Sequence, residues 1–239
     1  MMPGSEDSRA RDVVDVARAW RLSEMDLFAD LSDAEMQAIA EAAPMREVPR
    51  GALLYAPHRP VDVLFIVKAG RVRVYRTAVD GRSLTTAIVT PGQLFGQMPA
   101  LGQRMDDAYA EMLEAGVLCV MNRSDVQRLL FADARIVARV TALLGSRIAE
   151  LETRLTDTAL KTVPARICSA LATIAGSPPT PVRLTHDQIA DLVGTTRETT
   201  TKVLGDLRDR HYIRLRRGRI DVLDPLAVLE LADRLDTRT

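Results

Sequence analysis

Two cysteines, Cys119 and Cys168, are all that the 239 residues contain. They lie far apart, so there is no disulfide framework and no metal-knuckle spacing. An iron–sulfur centre needs a cysteine cluster and is excluded. The three histidines, His58, His186 and His211, are scattered. No nucleophile–base pairing is visible, and there is no phosphate loop of the G-x-x-x-x-G-K type, so nothing supports an enzyme or a metal site. Aromatics are only 4%, too few for the stacking platforms that hold single-stranded nucleic acid. The longest apolar runs reach about eight residues, against the roughly 18 needed to span a bilayer. The polar, mixed-charge start MMPGSEDSRARD lacks the basic-then-apolar order of a signal peptide. A cytoplasmic protein without membrane contact is expected.

Net charge is also missing. The chain has 32 Lys+Arg against 32 Asp+Glu. An even mixture would argue against a phosphate-rich partner, but the charges are not evenly mixed. Residues 161–239 carry 13 basic against 10 acidic groups, the remainder 19 against 22, and residues 197–219 alone 8 against 3. The zero is a sum of two opposed parts. DNA would repel the first and meet the second at residues 197–219.

The hydrophobic pattern changes twice. Val13, Val14, Val16, Ala17 and Trp20 have helical spacing. Ser32 and Glu35 form a capping box, with Leu31 and Met36 as its staple. From about Met45 to Asn122 short apolar runs alternate with turn signals. The runs are Leu53–Tyr55, Val63–Lys68, Val72–Thr77, Leu84–Val89, Ala108–Met112 and Val117–Met121. Asp80-Gly81 is the strongest hairpin signal among the turns. So many short strands predict an antiparallel barrel or sandwich. From about Ser124 the helical period returns. Val137, Leu144, Leu151 and Thr158, interleaved with Thr141, Ile148 and Leu155, form an a/d seam over about three heptads. Arg147, Glu150, Glu152 and Arg154 flank it. A narrow seam with charged flanks predicts a parallel homodimer held by Val137, Leu144, Ile148, Leu151 and Leu155. The other reading is a helix packed on its own domain.

The segment LTHDQIADLVGTTRETTTKVLGDLR, residues 184–208, predicts a helix-turn-helix. Thr185 and Gln188 make a capping box for the first helix, and Gly194 allows the tight turn. The second helix starts at Thr195 or Thr196, with Thr195 and Glu198 as a further box. At roughly 100° per residue, Arg197, Glu198, Thr201, Lys202 and Gly205 share one face, and Thr200, Val203, Leu204 and Leu207 the other. Arg pairs bidentately with guanine, and Glu accepts from cytosine N4. A solvated ion cluster is the alternative for these side chains. Next, Ile213 to Val222 alternate around Arg217-Gly218 and predict a wing whose arginines reach backbone phosphates.

These residues resemble the cyclic-AMP receptor protein and fumarate-nitrate-reduction regulator (CRP/FNR) family over roughly residues 25–235. Gly194-Thr195-Thr196-Arg197-Glu198-Thr199 is similar to that family's G-x-S-R-E-T, with Thr196 for the Ser. The polar start reads separately as a flexible extension (1–20). The resemblance implies an α+β chain with a β-roll (jelly-roll-like) sensor domain (21–130), a dimerisation helix (131–159) and a winged helix-turn-helix domain (160–239). It implies base reading by Arg197, Glu198 and Lys202, and phosphate contacts from Thr185, His186, Thr196 and Thr199 beside the wing's Arg217 and Arg219. It further implies a TGTGA-like half-site in double-stranded DNA, and RNA polymerase as a protein partner.

Pro91-Gly92-Gln93-Leu94-Phe95-Gly96-Gln97 resembles the family's phosphate-binding cassette, so Gly96, Gln97, Asp106 and Asp107 mark the effector pocket. Cyclic-AMP binders have Glu where Gln97 stands, and Arg-Ser where Asp106-Asp107 align. Two carboxylates facing a phosphate repel it, so cyclic AMP is not expected as ligand and no cofactor is predicted. Another small ligand, a protein or redox signal, and constitutive activity all remain open for the sensor. His58 reads as an exposed loop residue rather than a haem ligand. Cys119 reads as a small core residue rather than a redox switch. Against the DNA-binding regulator stands one other class, a regulatory module whose helix-turn-helix contacts protein.

Overall fold

The structure, a computed structural model, describes Ser32 and residues 44–57, 62–130 and 133–236. The expected helix at residues 13–20, the capping box at Ser32–Glu35 and His58 lie largely or wholly outside that range. The chain forms two compact units. One comprises residues 1–74 and 88–146, the other residues 75–87 and 147–239.

The β-roll has two four-stranded sheets. The first runs in the order β1 (Met45–Val48), β8 (Gly116–Asn122), β3 (Val63–Ala69), β6 (Leu94–Gln97). The second runs β2 (Leu53–Tyr55), β7 (Ala108–Met112), β4 (Val72–Thr77), β5 (Ser83–Val89). The Asp80-Gly81 turn joins neighbouring strands, as its dipeptide predicts. The apolar runs all became strands, and two further strands escaped the reading. In β6, Gly96 interrupts the alternation, and in β1 Arg46 and Glu47 dilute it.

Strand alternation explains the core. On β3, Leu64 and Ile66 face one side and join Met98, Cys119, Met121 and Val126. Phe65 faces the other side and stacks on Phe95, with ring centroids 4.9 Å apart. Both faces of β3 are therefore buried, which is why it reads as a continuous apolar run. The long helix α1 (Ala134–Leu160) lays Ile136 and Val140 on the Leu64 side, with Leu143 and Leu144 half-buried beside them. Leu144, expected in a helix–helix seam, thus packs partly on its own roll. Cys119 is fully buried, and burial pushes its thiol up to about 12, so it is a core residue and not a thiolate at neutral pH.

Gly96 is dictated by backbone proximity. It sits at φ +141, and a Cβ there would lie 2.2 Å from the Val63 carbonyl oxygen. Gly96→Ala is expected to destabilise the chain by roughly 2–5 kcal/mol, combining backbone strain with a clash against a strand that cannot yield. At Gly81 only φ is unfavourable, at +86 with open space around it. Gly81→Ala should cost about 1–2 kcal/mol. Urea midpoints of the two variants check the ranking.

The second unit holds α2 (Val163–Ala175), α3 (His186–Val193), α4 (Arg197–Asp209), a hairpin of β9 (Ile213–Arg216) and β10 (Arg219–Val222), and α5 (Pro225–Asp236). Thr162 caps α2 with Pro164 in its first turn, where the missing N–H costs nothing. Ile167, Leu171 and Ala175 of α2 and Val228, Leu231 and Ala232 of α5 are buried with Ile189, Val193, Val203, Leu204 and Leu207. Val182 exchanges two backbone hydrogen bonds with Ile220 at 2.9 Å and so adds a third segment to the hairpin.

Candidate nucleic-acid interface

The helix-turn-helix is built by local hydrogen bonds. Thr185 Oγ1 accepts from the Gln188 backbone N–H at 3.1 Å, while Gln188 Oε1 accepts from the Thr185 N–H at 2.9 Å. That is the predicted capping box. Gly194 ends α3 at φ 70, ψ 55, and its N–H reaches the Ala190 carbonyl. Helix α4 then begins at Arg197, one residue later than the Thr195 box requires. Thr196 is the cap: its hydroxyl accepts from the Thr199 N–H at 3.2 Å and lies 3.2 Å from the Thr199 hydroxyl. The Thr195–Glu198 box is not formed, because Thr195 still belongs to the turn, where its N–H bonds the Ala190 carbonyl at 3.0 Å.

This one-residue shift decides how Glu198 is presented. Its own backbone N–H, then the Thr196 side chain, lower the carboxyl's pKa. Glu198 is therefore a hydrogen-bond acceptor at neutral pH, free to receive from a base-edge amine. Arg197 is exposed and lies 3.8 Å from the Asp187 carboxylate of α3. An ion pair so open to water is worth little, so it holds the guanidinium loosely. Thr201 and Lys202 are exposed on the same face, while Thr200, Val203, Leu204 and Leu207 are buried. The computed faces and the observed burial agree because α4 is a regular helix from Arg197 to Asp209.

His186 is not a free surface side chain. Its Nδ1 lies 2.8 Å from the Thr201 hydroxyl and ties the start of α3 to α4. In the wing, β9 and β10 pair antiparallel with Arg216 opposite Arg219. Ile213, Ile220 and Val222 are buried and Leu215 half-buried, as the alternation predicts. Asp221 takes Arg216 at 3.0 Å and Arg219 at 3.3 Å, so part of their charge is cancelled locally. Arg217, at the exposed tip, has no such partner among the described residues.

The comparisons follow the same division. The family described as cyclic nucleotide-binding domain matches residues 45–133, and the one described as Crp-like helix-turn-helix domain matches residues 165–231. The chain is similar to the cyclic AMP receptor protein of Thermus thermophilus, at 28% identity over 86% of this chain and 96% of that one. It is similar to the global nitrogen regulator of Synechococcus elongatus, at 28% over 75% and 85%. It also matches the crystal structure of a CRP/FNR-family transcriptional regulator of Thermus thermophilus at TM-score 0.65 and 28% identity, covering 79% of this chain and 98% of that one. The chain belongs to the CRP/FNR family. It is a DNA-binding transcription regulator, not an enzyme. Among the described residues, no helix is long and apolar enough to cross a membrane, and no group of His, Cys, Asp and Glu could hold a metal.

In this CRP/FNR protein the cassette residues form their own small cluster. Gln97 Oε1 accepts from the Met105 backbone N–H at 2.6 Å, which ties β6 to the turn holding Asp106 (φ 32) and Asp107. Both aspartates are exposed. The roll also contains a cavity of about 710 Å³ between Tyr55, Phe65, Leu118 and Val120, with Arg46, Asp62 and Asp125 among its lining residues. None of Gly96, Gln97, Asp106 and Asp107 is among those residues. Tyr55, which lines the cavity, has its phenol pKa raised by burial and then by the Asp106 carboxylate.

The helical seam is apolar and open along its second half. Ile148, Leu151 and Leu155 are 58%, 45% and 72% exposed, whereas Val137 is half-buried. Two arginines read from sequence as charged flanks of that seam make backbone contacts instead. Arg147 and Arg154 both donate to carbonyls of β5, and Arg154 also to α3. No sequence signal marks them, because their acceptors are main-chain groups.

Proposed function

We propose that the protein is a homodimer that reads a near-palindromic, TGTGA-like operator and does so without cyclic AMP. The observation that carries the DNA reading is the two-sided α4. Its buried face fixes the helix on α3, and its exposed face offers Arg197, Glu198 and Lys202 to base edges. Thr185, His186, Thr196, Thr199, Arg217 and Arg219 are the proposed phosphate contacts. Phosphate contacts set register, and base contacts set sequence. Two recognition helices on a two-fold axis would enter major grooves about 34 Å apart. RNA polymerase is the proposed protein partner.

The relatives include a receptor protein and a Mycobacterium tuberculosis regulator whose names specify cyclic AMP. This chain departs from that chemistry where the ligand's ribose and phosphate would lie. Gln97 has no carboxylate and spends its carbonyl oxygen on Met105. Asp106 and Asp107 would set negative charge against a negative phosphate.

Selection of bound sequences from random DNA by the purified protein, with and without cyclic AMP, tests both parts. The expected result is one near-palindromic motif and the same affinity in both arms. An affinity raised strongly by cyclic AMP overturns the reading of the pocket. The absence of any enriched palindrome overturns the DNA reading in favour of a protein-contacting module.

A further inference from the structure

Arg154 lies on the second half of α1, half-buried. Its guanidinium Nη1 donates to the Thr86 carbonyl at 2.7 Å, and its Nη2 to the Thr85 carbonyl at 2.9 Å and the Leu192 carbonyl at 3.2 Å. Among the described residues no carboxylate lies within ion-pair distance of it. Burial, then the neighbouring Arg147, press its pKa down, and Glu150 opposes them. An arginine nevertheless stays charged, and all three of its hydrogen bonds go to main-chain carbonyls.

The acceptors belong to two elements. Thr85 and Thr86 lie on β5, the end strand of its sheet, in the hairpin segment 75–87 that clusters with the DNA-reading unit. Leu192 lies in the last turn of α3. The carbonyls of that turn have no partner further along the helix, and a cation there also meets the negative end of the helix dipole. Ala190 is served by Gly194 and Thr195, and Leu192 by Arg154. Helix α3 in turn sets α4 through the Gly194 turn and the His186–Thr201 bond. Arg147 provides an internal comparison. It donates to the Thr86 carbonyl at 2.7 Å and pairs with Glu150, with no bond to α3.

We propose that Arg154 is a positioning residue for DNA reading, which ties the β4–β5 hairpin to the carbonyl end of α3 and so makes the set of α4 depend on the hairpin. The idea rests on α4 being the DNA-reading helix. The planar fork is essential, since it presents several donors in fixed directions to acceptors on different elements. An ammonium is a point charge and does not reproduce that geometry.

Arg154→Ala, Arg154→Lys and Arg147→Ala in the full-length protein test it, with the selected operator as ligand. Arg154→Ala is expected to weaken binding about tenfold, the scale of one lost charge-assisted hydrogen bond. The dependence of affinity on salt should stay unchanged, because no phosphate contact is lost. Arg154→Lys should fall with the alanine variant, and Arg147→Ala should stay within about twofold of wild type. Amide hydrogen exchange should rise together in residues 83–87 and 186–195 for Arg154→Ala, and only in 83–87 for Arg147→Ala.

Wild-type affinity in Arg154→Ala, full rescue by lysine, or exchange rising in only one of the two segments overturns the proposal. A salt slope lowered by about one per protomer would make Arg154 a direct phosphate contact and overturn it as well. If the wild-type protein selects no operator, it is the reading of α4 that fails. The exchange measurement then still decides whether Arg154 joins hairpin and helix.

Discussion

The double substitution Leu151→Asp and Leu155→Asp is expected to leave each chain folded, convert the protein to a monomer and abolish operator binding. Both side chains are already exposed on α1, at 45% and 72%, so charging them removes nothing from the chain's own core. In a parallel pair of helices these positions would meet their counterparts, together with Ile148. Fully burying a leucine or isoleucine is worth about 1.5–3 kcal/mol. Ile148, Leu151 and Leu155 are already partly covered within each chain, so the six side chains of a pair would supply roughly 5–10 kcal/mol, comparable to an association cost of about 4–15 kcal/mol. Aspartates facing each other reverse that sign. A monomer engages one half-site, and affinity should drop by at least about a thousandfold, towards the level of non-specific binding. Sedimentation velocity and fluorescence anisotropy report the two effects separately. A variant that stays dimeric, or a monomer that still holds the full operator, would sink the seam.

The second large effect belongs to Arg197→Ala. Loss of one bidentate contact to guanine costs about 1–3 kcal/mol per half-site. Both half-sites lose it in a dimer, so the operator should be weakened by about 2–6 kcal/mol. Base choice should relax at one position in each half. The Asp187 pair gives no structural reason for a folding defect, since both partners are mostly exposed. Arg217→Ala should behave differently. It sits at the wing tip, so all sequences should weaken alike and the salt slope should fall by about one per protomer, or about two for the dimer. Repeating the selection with each variant distinguishes them. An unchanged motif from the Arg197 variant would remove that residue from base reading.

Much of the second unit was legible because its signals are local. A capping box, a glycine turn and a two-sided helix each lie within about a dozen residues. Of the two helix starts that the sequence offers, Thr195 and Thr196, the cap is Thr196, and the Thr195–Glu198 box is not formed. Both have the right chemistry, and only the length of the turn after Gly194 selects between them. The roll was less legible. Strands rich in Val, Ile and Leu announced themselves, but β6 hid behind Gly96, whose presence answers to the Val63 carbonyl on another strand. The pocket residues were named by alignment alone, and Gln97 proved to be bonded to the neighbouring turn.

Charge shows the same division. Sequence by itself determined that the neutral total is split, with residues 197–219 strongly basic, and that Arg197, Glu198 and Lys202 share one helical face. Period and composition are properties of neighbours in the chain, and no folding is needed to compute them. Tertiary structure decided which of those charges are free. Asp221 reaches Arg216 and Arg219 but not Arg217, because strand register sets those distances. Arg147 and Arg154, indistinguishable from other flanking charges in sequence, are drawn to carbonyls of β5 and α3 that lie far from them along the chain. A main-chain acceptor has no residue identity, so only the packing of helix, hairpin and turn could reveal it.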